Sequence, residues 1–305
     1  VNRPVSPTLA VVIGVLFVSF SAILIRLSQA PPLVIGAYRM AFSALLLLPS
    51  AIAHRRRYRA AISRTSLLLS LLSGLFLALH FASWITSLFH TTVAASTVLV
   101  TTQPLFVVVF GFLILGERIS RRSALLMLIA FTCSAVLAAS EGSSAGDQAL
   151  LGNVLALAGA VTVAGYMLVG RVVRRTLPVG LYTVLVYTVA ALLLVGFALL
   201  AGHSLTGYAP REYLIFVALA IFPTLLGHNL FSWSLKWLQT SLVSTAILGE
   251  PVFATLLAML FFAEIPGAVT VIAGTGVLVS LFLFLRADRP GSLGPGGSGD
   301  STERR

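Results

Sequence analysis

Apolar residues run along this chain in ten stretches separated by short polar or charged connections. Each stretch holds about 20 residues, the length at which a helix crosses a hydrocarbon core about 30 Å thick. The pattern predicts spans over 8–28, 32–53, 66–88, 91–115 and 122–140, then over 150–170, 177–201, 212–235, 240–262 and 266–286. Pro104, Phe106 and Glu117 stand in the fourth stretch, and the same residue types return 147 positions on as Pro251, Phe253 and Glu264, in the fourth stretch of a second set of five. Because five is odd, the second set must enter the membrane from the opposite side.

The expectation is an all-α membrane protein with ten transmembrane helices arranged as two inverted five-helix repeats, residues 8–140 and 150–286. Residues 287–305, rich in Gly, Ser and Pro, read as a disordered cytoplasmic tail. With 58% hydrophobic and 10% charged residues, the chain is too apolar for a soluble domain to cover itself. The first stretch follows Arg3 and precedes Ser28-Gln29-Ala30, as a signal peptide would, but its apolar run from Leu9 to Ile25 exceeds the usual length and its removal would spoil the twofold repeat.

A net charge of +11 suggests nucleic acid until the basic residues are placed. With the N-terminus inside, Arg3, Arg55, Arg56, Arg57, Arg59, Arg64, Arg118, Arg121 and Arg122 fall on the cytoplasmic side, joined by Arg171, Arg174, Arg175, Lys236, Arg286, Arg289, Arg304 and Arg305, which makes 17 of the 20 Lys and Arg. That bias sets topology, so both termini are expected in the cytoplasm, the membrane is the inner (plasma) membrane, and no nucleic-acid partner is implied. The run His54 to Arg59 is placed to touch anionic lipid headgroups as well.

Rare residues exclude several chemistries. The single lysine, Lys236, is not part of a phosphate-cradling ATP loop, and the single cysteine, Cys133, allows neither a disulfide nor a cysteine-rich metal site within the chain. None of the five histidines has a zinc-protease spacing, and no serine lies in a Gly-x-Ser-x-Gly turn. No catalytic residue, metal or cofactor is expected, and the chain does not read as an enzyme.

Polar side chains at bilayer depth are costly and mark candidate pathways. Glu250, about 15 Å into its span at 1.5 Å per residue, is the one acid near the midplane, and Arg39 lies about 10 Å in from the other face. A direct pair between them is sterically open. Glu250 reads either as a carboxylate that exchanges a proton or binds a cation, or as a structural acid beside a helix break. Its counterpart in the first repeat is the neutral Gln103. Pro104 and Pro251 should kink spans four and nine, as shaping elements or as hinges, with Pro223 acting similarly in span eight.

His80, Ser83, Trp84 and Ser87 share one face of span three, His228, Asn229 and Ser232 mark span eight, and Thr97 and Thr101 mark span four. Together they could wall a cavity for a small amphipathic molecule. The competing readings are an interhelical hydrogen bond for each histidine and an interfacial belt for Trp84, Trp233 and Trp237. Glu117, beside Arg118, reads as a surface ion pair or helix-end anchor. Ala130, Ser134 and Ala138, and Gly276 and Ser280, recur at four-residue spacing and permit close helix packing, within one chain or between two, so the oligomeric state stays open.

The run Phe17 to Pro49, with Arg26, Pro31-Pro32 and Tyr38-Arg39, resembles the opening of an EamA domain of the drug/metabolite transporter superfamily. Gln103-Pro104 followed by Gly116-Glu117-Arg118 is similar to that family too, as is Gly249-Glu250-Pro251 followed by Glu264, although Ala263 stands where the first repeat has a glycine. The resemblance implies two EamA repeats around a central cavity, alternating access, and transport, often export, of small metabolites such as amino acids. Proton coupling through Glu250 and uncoupled exchange are both compatible with it. The alternatives are a multidrug exporter of lipophilic cations, with Glu250 as counter-charge, and a nontransporting membrane sensor or scaffold.

Overall fold

The computed structural model of the chain describes residues 6–54, 62–115, 121–145, 147–174, 176–227, 230 and 248–287. Outside them fall the basic run Arg55 to Arg59, Glu117, His228, Asn229, Ser232, Trp233, Lys236, Trp237 and the tail from residue 288. Eleven α-helices follow in chain order among the described residues: α1 Pro7–Leu27, α2 Pro32–Ala53, α3 Arg64–Ser87, α4 Val93–Val100, α5 Gln103–Leu115, α6 Arg121–Ala145, α7 Asp147–Val173, α8 Val179–Leu200, α9 Pro210–Leu219, α10 Glu250–Phe262 and α11 Ala268–Ala287. No strand occurs among the described residues.

Among the described residues, six helical stretches are long and apolar enough to cross a membrane: Leu9–Leu27, Pro32–Ala53, Arg64–Ser87, Gln148–Gly170, Val179–Leu200 and Pro210–Gly227. Val93–Val107, Ala124–Leu137, Glu250–Phe262 and Ala268–Phe284 are shorter apolar helices. Their outer faces carry Leu192, Leu200, Leu260 and Ile272, all more exposed than not, which water would penalise and acyl chains accept.

Local chemistry sets where the helices begin. Pro31 caps α2 at φ −57°, ψ 142°, and Pro178 caps α8 at φ −59°, ψ 143°, so two prolines 147 positions apart start two helices in the same backbone conformation. Ser63 and Ser66 form a reciprocal capping box at α3, and the Thr92 hydroxyl accepts the Ala95 amide at α4.

Prolines also mark the interruptions. The fourth apolar stretch is broken after Val100, and Pro104 stands in the first turn of α5, where a missing amide hydrogen costs nothing. Pro251 occupies the same place in α10. Beyond α9, residues Ala220–Gly227 widen into a π-helix around Pro223. Pro223 cannot donate to the Leu219 carbonyl four residues back, and the Thr224 hydroxyl donates to it instead at 2.9 Å.

α3 packs along α7 and α8, α2 along α8, α1 against the π-helical stretch and α10, α4 and α5 against α7, and α6 against α11. Small residues permit these approaches: a β-carbon added at Gly74 of α3 would lie 2.6 Å from the Val189 side chain of α8. On α6 and α11, Ala130, Ser134 and Ser280 are buried and Gly276 receives the Cys133 sulfur, so this small-residue surface packs within the chain. One apolar core, with Ile25, Ile35, Met40, Ile85, Leu194 and Phe216, joins α1, α2, α3, α8 and α9; a second, with Leu99, Leu137, Val277 and Phe284, joins α4, α6 and α11.

Candidate functional site

The first core encloses a charge. Arg39 of α2 is 2% exposed, and its guanidinium is held by three elements. Nε donates to the Thr224 hydroxyl of the π-helical stretch and Nη1 to the Ser21 hydroxyl of α1, each at 2.9 Å, while the plane lies 4.5 Å from the centre of the Phe81 ring of α3. Hydrogen bonds and a π-face together replace hydration, which a buried cation requires. The wide turn set by Pro223 is therefore what presents Thr224 to Arg39.

Glu250 opens α10 in the half-buried interior, where a helix N-terminus favours a carboxylate. Its backbone carbonyl accepts the Ser19 hydroxyl of α1 at 3.4 Å. Arg39 and Glu250 are thus held by two serines of the same helix, Ser21 and Ser19, and His80 packs at 4.9 Å on the Phe81 ring that faces Arg39, but Arg39 and Glu250 do not form an ion pair.

His80 of α3 bonds the Gly159 carbonyl of α7 through Nδ1 at 2.9 Å and stacks on Trp84 at 5.9 Å and 9° between planes. That is the interhelical bond weighed for it above. Trp84 is 5% exposed and packs on Gly159, so it is no interfacial belt residue, and its indole Nε1 is buried with no hydrogen-bond partner among the described residues. Thr101 returns its hydroxyl to the Thr97 carbonyl at 2.5 Å, while Gln103 begins α5. The structure thus brings Arg39, His80 and Glu250 into one interior region and places Thr101, Gln103 and Pro104 at the α4–α5 break. His228 and Asn229 lie outside the described residues.

Sequence reasoning missed Ser21, Thr224 and Phe81, the groups that hold Arg39. Thr224 carried a signal, a hydroxyl next to a mid-span proline. A cluster on α3, α7 and α8 was missed as well: Ser73 and Tyr182 share a hydrogen bond at 2.6 Å, and Tyr182 stacks on Tyr166.

At the end of the bundle where α1, α3 and α10 finish, Arg26 and Glu264 meet. Arg26 Nη1 donates to the Leu88 carbonyl at 2.5 Å and the Thr91 carbonyl at 3.5 Å, and Nη2 to Glu264 Oε1 at 3.5 Å. Glu264 Oε2 accepts the Val93 amide, the first of α4, at 3.0 Å. Ala263 at φ 53° turns the chain out of α10 and aims Glu264 at these partners. The pair borders a pocket of about 240 Å3 lined also by Phe89, His90, Thr91 and Thr92.

Beside it, the buried Glu212 carboxylate of α9 accepts the Ser28 hydroxyl and the Gln29 amide, and Tyr38 donates to the Leu205 carbonyl at 2.6 Å. Tyr208, in the connection before α9, donates to the Ser204 carbonyl at 2.6 Å; burial and then Tyr213 hold its phenol above the ordinary value, so it stays a donor. The α1–α2 connection is thereby tied to the segment preceding and opening α9.

The sequence profile described as the EamA-like transporter family matches residues 6–139 and again 150–286. The chain is similar to the pseudopaline exporter CntI of Pseudomonas aeruginosa, from strains UCBPP-PA14 and PAO1, at 25% identity over 236 residues, 77% of this chain and 80% of that protein. A crystal structure described only as that of a protein superimposes with a TM-score of 0.64 over 93% of this chain and 98% of its own, at 19% identity, which is a likeness of fold.

Proposed function

The chain belongs to the EamA-like transporter family, and from that membership we propose that this multi-pass membrane protein is a secondary carrier that exports amino acids or related small metabolites across the cytoplasmic membrane by alternating access. Both termini face the cytoplasm in this reading, in keeping with the distribution of arginine. The outward direction draws support from the relative named as an exporter.

The helix packing supports two inverted halves. If α7 onward repeats α1 onward, the contacts come in exchanged pairs: α1 on the π-helical stretch matches α7 on α3, α1 on α10 matches α7 on α4 and α5, and α2 on α9 matches α8 on α3. α2 with α8 and α6 with α11 are then each their own counterpart. Rocking of such halves would open a site between them to one side at a time.

The observation that carries the reading is the buried Arg39, held by α1, α3 and the π-helical stretch, with Glu250 on the same α1 surface and without an ion pair among the described residues. A cation kept in an apolar core at such cost, together with a carboxylate it does not neutralise, suits recognition of a polar solute and coupling to a proton.

The test is flux in liposomes. Saturable counterflow of at least one amino acid is expected, and Glu250→Gln should keep counterflow while losing proton-driven accumulation. Full proton-driven flux in that variant removes the role given to Glu250. Resistance to lipophilic cations, without resistance to amino acids, would favour a multidrug exporter instead.

A further inference from the structure

We propose that the pocket of about 240 Å3 at the Arg26–Glu264 end of the bundle is a peripheral binding site for a zwitterion of single-amino-acid size, whose carboxylate takes Arg26 and whose ammonium takes Glu264. The proposal deepens the transport reading above and rests on it for the role of the site, as a station the solute occupies on its way past this end.

Geometry makes the existing pair easy to open. At 3.5 Å it is longer than the roughly 2.7–2.9 Å of a charge-assisted hydrogen bond, and its side chains are 27% and 19% exposed. Ion pairs of that kind contribute little. A ligand that brings both opposite charges replaces one poor contact with two.

Each charge is also held without the other. Arg26 stays anchored by the Leu88 and Thr91 carbonyls and lies 5.7 Å from the centre of the Phe262 ring, while Glu264 stays anchored by the Val93 amide. Leu88, Thr91 and Glu264 occupy three of the five donors of the guanidinium fork, which leaves donors for a carboxylate. Opening the pair therefore does not scatter the two groups, and pre-organisation of this kind lowers the cost of binding.

The size of the site accommodates a small ligand. Pockets for drug-sized molecules run from about 300 to 1,000 Å3, so about 240 Å3 suits something the size of one amino acid. Phe89 supplies an apolar wall, and Thr92 and His90 supply polar ones. The pair also makes the site self-clearing, because Arg26 and Glu264 re-form their own contact when the ligand leaves. Weak, reversible occupancy is what a carrier needs near its mouth.

A thiol reporter tests the assignment without reference to flux. In Cys133→Ala protein carrying Phe89→Cys, reconstituted in nanodiscs of phosphatidylglycerol alone, the rate of reaction with a maleimide is measured with each standard amino acid of uncharged side chain other than cysteine, its N-acetyl derivative and its amide at equal millimolar concentration. At least one amino acid should slow labelling severalfold, while the singly charged derivatives should not. Arg26→Gln and Glu264→Gln should each abolish the protection, and Arg26→Lys, which keeps the charge, should retain part of it. The proposal is overturned if no amino acid protects, if either derivative protects equally, or if both neutral variants keep the protection. It is overturned equally if adding phosphatidylethanolamine alone slows labelling as much, since the occupant would then be a lipid headgroup. Protection without transport of any amino acid would count against the carrier reading and not against the site, and transport without protection would do the reverse.

Discussion

Arg39 and Glu250 are both held by α1 without forming an ion pair: Ser19 donates to the Glu250 carbonyl, while the Arg39 guanidinium donates to Ser21 and Thr224, 2.9 Å from each. The arginine thus ties α1 to the π-helical stretch, and in the carrier reading proposed above the Glu250 carboxylate is the group that meets the solute or proton.

The two substitutions should separate accordingly. Arg39→Gln strands two hydroxyls and loses hydrogen bonds from a charged donor, each worth about 1.5–3 kcal/mol, so its thermal midpoint in detergent should fall clearly. Glu250→Gln removes a charge with no ion pair among the described residues and should melt at or above the wild-type temperature while its transport changes. Equal falls in both variants would show that the fold depends on the two charges as a pair.

Much of the fold was legible because lipid imposes a length on apolar runs. The span expected over 32–53 coincides with α2, and the proline at residue 31 starts it as its counterpart at 178 starts α8. The interruption expected of Pro104 in span four takes the form of a break after Val100, four residues before the proline. Pro104 was read as a kink inside a helix, whereas it opens α5 after Thr101 and Thr102 have turned the chain, with the Thr102 hydroxyl on the Leu99 carbonyl at 2.7 Å. Arg39 announced itself as an ion at bilayer depth, yet its partners lie 18 and 185 positions away in sequence, and no local pattern says which helices touch.

Ala263 holds a left-handed conformation at φ 53°, the one non-glycine to do so among the described residues. That conformation costs an L-residue with a β-carbon roughly 1–2 kcal/mol, which glycine escapes. Ala263→Gly also restores the glycine that precedes Glu117 in the first half of the sequence. The variant should raise the thermal midpoint by an amount equivalent to about 1 kcal/mol, and Ala263→Val should lower it. A lower midpoint for the glycine variant would contradict the assigned backbone strain.

Gly152 of α7 lies against the α3–α4 connection: a β-carbon there would sit 2.8 Å from the Thr91 amide nitrogen and 2.9 Å from the His90 carbonyl carbon. Backbone cannot rotate aside as a side chain can. Gly152→Ala should destabilise by about 1–3 kcal/mol, as overpacking does. Gly196 of α8, with nothing within 4 Å of its added carbon, provides the control. Gly196→Ala should be neutral or stabilising by up to about 1 kcal/mol, since alanine is the better helix former. Equal effects at the two positions would mean that α7 does not press on this connection.

Trp84 carries the most informative orphan. Its indole nitrogen is buried without a hydrogen-bond partner among the described residues, although the ring packs on Gly159 and stacks with His80. An unmet buried donor costs about 1–3 kcal/mol, and such groups in native proteins call for a reason. A purely structural position would be better filled by phenylalanine, which keeps the stacking and drops the donor. A transport position would retain the N–H for a solute oxygen that arrives only in a loaded state. Trp84→Phe should therefore melt no lower than the wild type, because relief of the orphan offsets the smaller ring. Its transport KM should rise about tenfold, the equivalent of about 1.4 kcal/mol and close to one neutral hydrogen bond. Unchanged KM with a raised midpoint would assign Trp84 to packing alone, and a lowered midpoint would show that the indole nitrogen has a partner in the membrane.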